Sequence, residues 1–179
     1  MSSARLTETS YIVLGLLERL QPATPYDLKR LAQVSTINFW SVPHTQLYTE
    51  CARLAQAGLL VEEREQTGRR RRIYRVSERG EQALERWRME PTDALDEVRD
   101  AGTLKLFFGA DPAPLAAVQL EAHRRQLRTY EHLHASSGEM PRGMRLALEA
   151  GIGHEREFIR FWSRLLNERD PLEEGAVAP

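Results

Sequence analysis

Four consecutive arginines, Arg69, Arg70, Arg71 and Arg72, follow Gly68 on one short stretch of chain. A guanidinium stays charged at any physiological pH and offers a planar fork of donors that matches phosphate oxygens. The chemistry open to this run is neutralisation of a polyanionic backbone. Upstream stands His44-Thr45-Gln46-Leu47-Tyr48-Thr49. Gln46 can pair in bidentate fashion with an adenine edge, and Thr45 and Thr49 can bond a base edge or meet a thymine methyl. His44 and Tyr48 suit a phosphate oxygen or local packing. Tyr26, Lys29 and Arg30 are candidates for positioning contacts, and Arg53 is a further candidate for DNA contact. Taken alone, a charge run is usually a solvated loop and a polar helix face usually meets only water. The elements that hold these side chains decide between the readings.

Val13, Leu16, Leu17 and Leu20 recur at helical spacing and predict a core helix over 7–20 that Pro22 ends. Thr24-Pro25 is a polar cap followed by proline in the first turn, where a missing N–H costs nothing. The helix it opens runs to Gln33, with Leu28, Leu31 and Ala32 inward and Lys29 and Arg30 outward. A third helix begins near Pro43 and stops at Gly58. Leu47, Cys51 and Leu54 form its buried stripe, and Thr45, Gln46, Thr49 and Arg53 lie off it. At 1.5 Å per residue such a helix is roughly 22 Å long, enough to lie along a major groove. Leu59–Glu65 and Arg72–Ser77 predict two strands around the turn Gln66-Thr67-Gly68, and a fourth helix starts at Ser77 and carries Leu84 and Trp87. This order is that of a winged helix-turn-helix, whose third helix reads bases while the wing lies on phosphates. If two arginines per wing touch DNA in a dimer, the wings contribute about −3.6 to the slope of log affinity against log salt.

The second half predicts more helix. Leu104-Lys105-Leu106-Phe107-Phe108 is a compact apolar segment ended by Gly109. Pro112 and Pro114 start a helix through about Ala135, with Leu120, Leu127, Tyr130 and Leu133 in it. After the turn Ser136-Ser137-Gly138, a helix runs from Pro141 to about Glu168, with a break expected at Gly151-Ile152-Gly153. Its end, Phe158 to Trp162, is more aromatic than a two-helix unit buries by itself. These aromatics are read as core or dimer interface before ligand box.

The chain has 179 residues, room for one medium domain or two small ones. Its net charge of −1 argues against a nucleic-acid partner, but the distribution is uneven: residues 1–90 carry +3 and residues 91–179 carry −4. The basic half holds the candidate reader, and the acidic half has another task. The longest apolar run, Tyr11–Leu17, is far too short to cross a membrane. No basic-then-apolar order of a signal peptide opens the chain. The single cysteine, Cys51, allows neither an intrachain disulfide nor a cysteine-based zinc site, and fits a reducing, cytoplasmic setting. On the buried stripe it reads as packing. His123, His132, His134 and His154 invite a metal, yet His132 and His134 point apart on a helix and no carboxylate-rich motif completes a site. No metal or cofactor is expected. With no nucleophile elbow, phosphate-cradling loop or paired catalytic carboxylates, neither is an enzyme.

These residues together resemble the PadR family of transcriptional regulators. The N-terminal resemblance runs over about residues 10–85. It is carried by Ile12–Leu17, Phe39-Trp40, His44–Tyr48, Gly58-Leu59-Leu60 and Tyr74–Gly80, and by Pro25-Tyr26-Asp27-Leu28 where the family usually has Gly-Tyr-Glu-Leu. Thr24 stands where a histidine is common, and the wing is more uniformly arginine than usual and lacks the common proline. The C-terminal half resembles the helical dimerisation domain of the longer, virulence-activator-like branch, through Leu104–Gly109, His123 and the stretch 158–165. The expected fold is mainly α with a small two-stranded β-wing. A DNA-binding domain is expected over 1–90, a helical dimerisation domain over 91–170 and a flexible tail over 171–179.

The resemblance implies a homodimeric, sequence-specific regulator, a repressor, on an inverted-repeat operator of double-stranded DNA. It also implies a phosphate contact for Tyr48. Dimer contacts are expected at Leu104, Phe107, Phe108, Leu120, Leu127, Tyr130, Phe158, Phe161, Trp162 and Leu165. Trp40, Trp87 and Trp162 are candidates for a pocket that takes a small aromatic effector. The alternative is a ligand-sensing or protein-association module on a winged-helix scaffold, without specific DNA binding.

Overall fold

The computed structural model describes residues 5–65, 71–95, 99–136, 138 and 140–167. They divide into two units, Met1–Leu95 and Asp96–Pro179. The expected tail 171–179, the turn at 66–68, and Arg69 and Arg70 lie outside the described residues.

The first unit runs α1 (Glu8–Arg19), α2 (Pro25–Gln33), a short 3-10 turn (Thr36–Asn38), α3 (His44–Gln56), β1 (Leu60–Arg64), β2 (Arg72–Val76) and α4 (Glu78–Met89). Local chemistry sets the helix ends. Thr7 and Ser10 form a capping box at α1, and Thr24 and Asp27 form one at α2, with Pro25 in the first turn. Gly58, at φ 72°, takes the left-handed conformation that stops the chain after α3. The Ser77 hydroxyl accepts from Gly80 N–H at 3.1 Å to open α4.

Apolar burial then assembles the unit. Val13, Leu14 and Leu17 of α1 are fully buried in one cluster with Leu28 of α2, Leu47, Cys51 and Leu54 of α3, Tyr74 of β2 and Leu84 of α4. Each fully buried Leu or Val contributes about 1.5–3 kcal/mol of transfer free energy. The two strands pair antiparallel, with Leu60 opposite Val76, Glu62 opposite Tyr74 and Arg64 opposite Arg72. Ala23, between α1 and α2, adds a bridge to Tyr74, its N–H donating to Tyr74 O at 3.1 Å and its carbonyl accepting from Tyr74 N–H at 2.9 Å. This stitches the base of the hairpin to the helical core.

The second unit holds α5 (Ala101–Phe107), α6 (Pro112–Ser136) and α7 (Arg142–Asn167). Contacts between α6 and α7 run in opposite senses along the two helices. Arg156 pairs with Glu131 and His134 with Glu149, so they form an antiparallel hairpin. The break expected at Gly151–Gly153 does not occur, and α7 is continuous. Gly151 instead lets α7 approach α6: a Cβ there would lie 3.1 Å from the Tyr130 ring.

The core of this unit is Ala116, Leu120 and Trp162, with Leu106, Phe158, Ile159, Phe161 and Leu165 packed on it. That corrects part of the expected dimer surface. Leu120, Tyr130 and Trp162 are buried within a single chain, so they have no surface to offer a second copy. Leu127, Phe158, Phe161 and Leu165 are half-buried. Only Leu104, Phe107 and Phe108 stand well exposed. Among the described residues, no helix is long and apolar enough to cross a membrane.

Candidate nucleic-acid interface

The helix α3 is amphipathic in the sense a reading helix needs. Leu47, Cys51 and Leu54 seat it on the core, while Thr45, Gln46, Tyr48 and Thr49 are exposed, with His44 exposed at its start. Burial pushes the Cys51 thiol up to about 12, so it stays protonated and acts as packing. The Thr49 hydroxyl donates to Thr45 O at 2.7 Å. Its proton is committed to the backbone, and towards a ligand it can only accept. Gln46 keeps both amide functions facing solvent, with no side-chain partner among the described residues. On α2, Tyr26 and Arg30 are exposed and Lys29 is half-buried.

The strand pair sets the glutamates of β1 beside arginines of both strands. Arg64 and Arg72 are directly opposed in the register, and Glu62 between them relieves the repulsion, with its Oε1 3.3 Å from Arg64 Nε and 3.6 Å from Arg72 Nε. Tyr74 Oη donates to the other oxygen of Glu62 at 3.1 Å. Arg75 lies 3.6 Å from Glu63. Arg71, the first described residue after Glu65, pairs with it in bidentate fashion, Nε to Oε2 at 3.1 Å and Nη2 to Oε1 at 3.0 Å. Solvent and salt screen exposed pairs of this kind, so they hold only weakly. A phosphate can therefore displace the glutamates.

Arg53 differs from the other candidate contacts. Its Nε and Nη2 donate to the buried carboxylate of Glu50 at 2.9 and 2.6 Å, and Nη2 also reaches Ser10 Oγ at 3.0 Å. The sequence carried a signal for this arrangement. Glu50 lies three residues after Leu47 and four before Leu54, inside the apolar stripe, with an arginine one turn on. A second polar pair absent from the sequence reading is His123 Nδ1 on Glu155 Oε2 at 2.6 Å, between α6 and α7, with His123 tilted against Phe158 and His154 stacked on it.

Two of the tryptophans belong to the first unit and one to the second. Trp40 is 46 % exposed beside α3, and Trp87 stacks on Tyr11 at 4.7 Å within the first unit. Trp162 is sealed in the core of the second unit and is withdrawn as a pocket wall.

Arg53 holds the Glu50 carboxyl below the usual carboxylate range, against the opposing effect of burial. A carboxylate whose folded value is depressed stabilises the fold fully above its ordinary value of 4.5 and loses that contribution as pH falls through the folded value. Asp27, held down by Thr24, and Glu18, held down by Arg88, act in the same sense. Urea midpoints are therefore expected to stay level from neutral pH down to the carboxylate range and to fall below it. A midpoint that rises on acidification would contradict these pairings.

The model of the transcriptional regulator PadR-like family matches residues 13–86. The negative transcriptional regulator PadR of Bacillus subtilis is 24 % identical over 172 residues, covering 87 % of this chain and 94 % of its own. The crystal structure of that protein with operator DNA gives a TM-score of 0.77 at 24 % identity, over 90 % of this chain and 98 % of the other. Its complex with p-coumaric acid gives 0.71 at 23 % identity, over 90 % and 97 %. The virulence activator AphA of Vibrio cholerae gives 0.66 at 23 % identity, over 96 % and 100 %. At these identities the structural matches speak for the fold.

Proposed function

We propose that this chain, whose residues 13–86 match the PadR-like family of transcriptional regulators, is a homodimeric repressor that reads an inverted repeat in double-stranded DNA. The observation that carries the proposal is the division of α3. One face is anchored by Leu47, Cys51 and Leu54, and the other exposes Thr45, Gln46 and Thr49, all able to bond base edges. In this reading α3 of each subunit enters a major groove. Tyr26, Lys29, Arg30, His44 and Tyr48 fix its register on phosphates. Arg71 and Arg72 leave Glu65 and Glu62 for the DNA backbone, joined by Arg69 and Arg70.

The second unit supplies the contact between subunits, through the exposed Leu104, Phe107 and Phe108 of α5 and the residue after it. Two reading helices then stand about 34 Å apart, one turn of DNA, or a multiple of it. The operator complex of the B. subtilis relative supports the DNA partner, and its p-coumaric acid complex supports a small aromatic effector that binds the two spacings with different affinity. A DNA regulator places the chain in the cytoplasm.

Gln46→Ala tests the assignment of α3. It is expected to lose about 1–3 kcal/mol of discrimination at one base position per half-site, measured against a panel of single-base operator variants. An equal loss on every sequence would make Gln46 a backbone contact and remove the basis for reading α3 as the base-specific element.

A further inference from the structure

Thr45, Thr49 and Arg53 recur at a spacing of four residues, so Arg53 continues the line of the reading face. A cation there is well placed for a phosphate, yet the fold ties its fork to a buried carboxylate while its side chain stays partly exposed. Glu50 Oε2 accepts from Arg53 Nε at 2.9 Å, and Oε1 accepts from Arg53 Nη2 and from Ser10 Oγ, both at 2.6 Å. Ser10, fully buried on α1, also accepts from Thr7 N–H at 2.8 Å and from Arg53 at 3.0 Å. Two oxygens on the fork of Arg53 are the contact a DNA phosphate would otherwise make. Glu50 is itself only 8 % exposed, so this internal anion is more shielded than Glu62 and Glu65 of the strand pair, which are half-buried. Shielded pairs are screened less by salt and water, so a phosphate displaces this one least readily.

We propose that Glu50 is a specificity-determining residue: it occupies Arg53 as a built-in phosphate mimic and, through Ser10, fixes the rotation of α3 on α1. Arg53 is then a positioning residue and not a DNA contact, which revises its expected role. The gain is in discrimination. A free guanidinium on this face would add affinity for any sequence, because phosphate contacts carry no base information. Holding it on Glu50 leaves Thr45, Gln46 and Thr49 to decide binding. The inference rests on the DNA-reading assignment of α3.

The test compares the full-length wild type with Glu50→Gln, Arg53→Gln and the double variant. Each is titrated onto its operator and onto a random duplex of equal length over a salt series. Arg53→Gln keeps an amide donor for Glu50 and is expected to leave the salt slope at its wild-type value. Glu50→Gln is expected to steepen the slope on random DNA by about 0.9 for each arginine released. It should also lower the operator-to-random ratio roughly tenfold, the scale of one mismatched base pair. The double variant returns the slope to the wild-type value. A purely structural role for Glu50 would weaken binding to both duplexes with the slope unchanged, and that result overturns the proposal. So does a flattened slope in Arg53→Gln, which would mean that Arg53 already holds a phosphate. Should Glu50→Gln lose its helical circular-dichroism signal, the Arg53→Gln slope decides alone. Wild-type protein that binds no duplex refutes instead the DNA-reading assignment, and is told apart by that.

Discussion

A chain ending after Leu95 is expected to bind a two-half-site operator about 10²–10⁴-fold more weakly than the full chain at the same salt, and to sediment as a monomer. The expectation follows from where the core lies. The buried cluster of the first unit runs from Val13 to Leu84, with Leu6 packed against it, so the reader retains its own interior when the second unit is removed. What is lost is the linkage of two readers, which turns the second binding event into an intramolecular one. Retained secondary structure with loss of the two-site advantage is the predicted result, read by circular dichroism, sedimentation and equilibrium titration on one-site and two-site duplexes. A truncated chain that remains a tight dimer would refute the assignment of subunit association to the second unit.

Gly80→Ala is the second large effect. A Cβ at Gly80 would lie 2.2 Å from the Leu59 carbonyl oxygen, 2.8 Å from Val76 Cγ1 and 3.2 Å from Leu14 Cδ2. The first of these is backbone, held in the turn where Ser77 N–H donates to the same oxygen at 3.1 Å, so it cannot rotate aside as a side chain would. Relief requires moving α4 away from α1 and the strand pair. Overpacking of this kind costs about 3 kcal/mol. In a unit of this size that is a fall in the melting temperature of roughly 12 °C or more. Gly15→Ala is the internal control. Nothing lies within 4 Å of its added Cβ, and within α1 alanine is better than glycine by about 0.5–1 kcal/mol. Two glycine-to-alanine changes in one unit should therefore shift thermal unfolding in opposite directions. A neutral Gly80→Ala would mean that α4 sits less closely on the strands than described.

The contrast between these glycines shows what a sequence can and cannot carry. Gly58 was legible as a helix stop because positive φ is a local requirement. Thr24-Pro25 and Ser77 were legible as helix starts because capping is also local. The mainly helical fold with a two-stranded wing followed from such signals. Gly151 was misread as a break because its reason is tertiary: Tyr130 of α6 lies where a Cβ would point. The aromatic stretch Phe158–Trp162 was read as core or dimer interface, and only tertiary packing decides between the two. The α6–α7 hairpin absorbs Trp162 completely, with Ala116 and Leu120 beneath it. At the interface, the residue types on α3 were readable, and Glu50 inside the apolar stripe left a local trace of the Arg53 pair, but the third member, Ser10, was not readable. A helical wheel puts Arg53 with Thr45 and Thr49, and only the packing of α3 on α1 brings Ser10, forty residues before Glu50, to the same carboxylate. The 3-10 turn at Thr36–Asn38 left no periodic trace, because three residues are too few to show one.

The central claim, a dimer that reads DNA sequence through α3, is tested most directly by selecting binding sites from a random DNA pool at about 0.15 M salt, where loose electrostatic binding is suppressed. The predicted result is an enriched inverted repeat whose half-site centres lie about 10 base pairs apart or a multiple of that, matching two reading helices one or more turns of DNA apart. A pool that stays unenriched after repeated rounds, with the protein folded and without or with a small aromatic acid present, would contradict it.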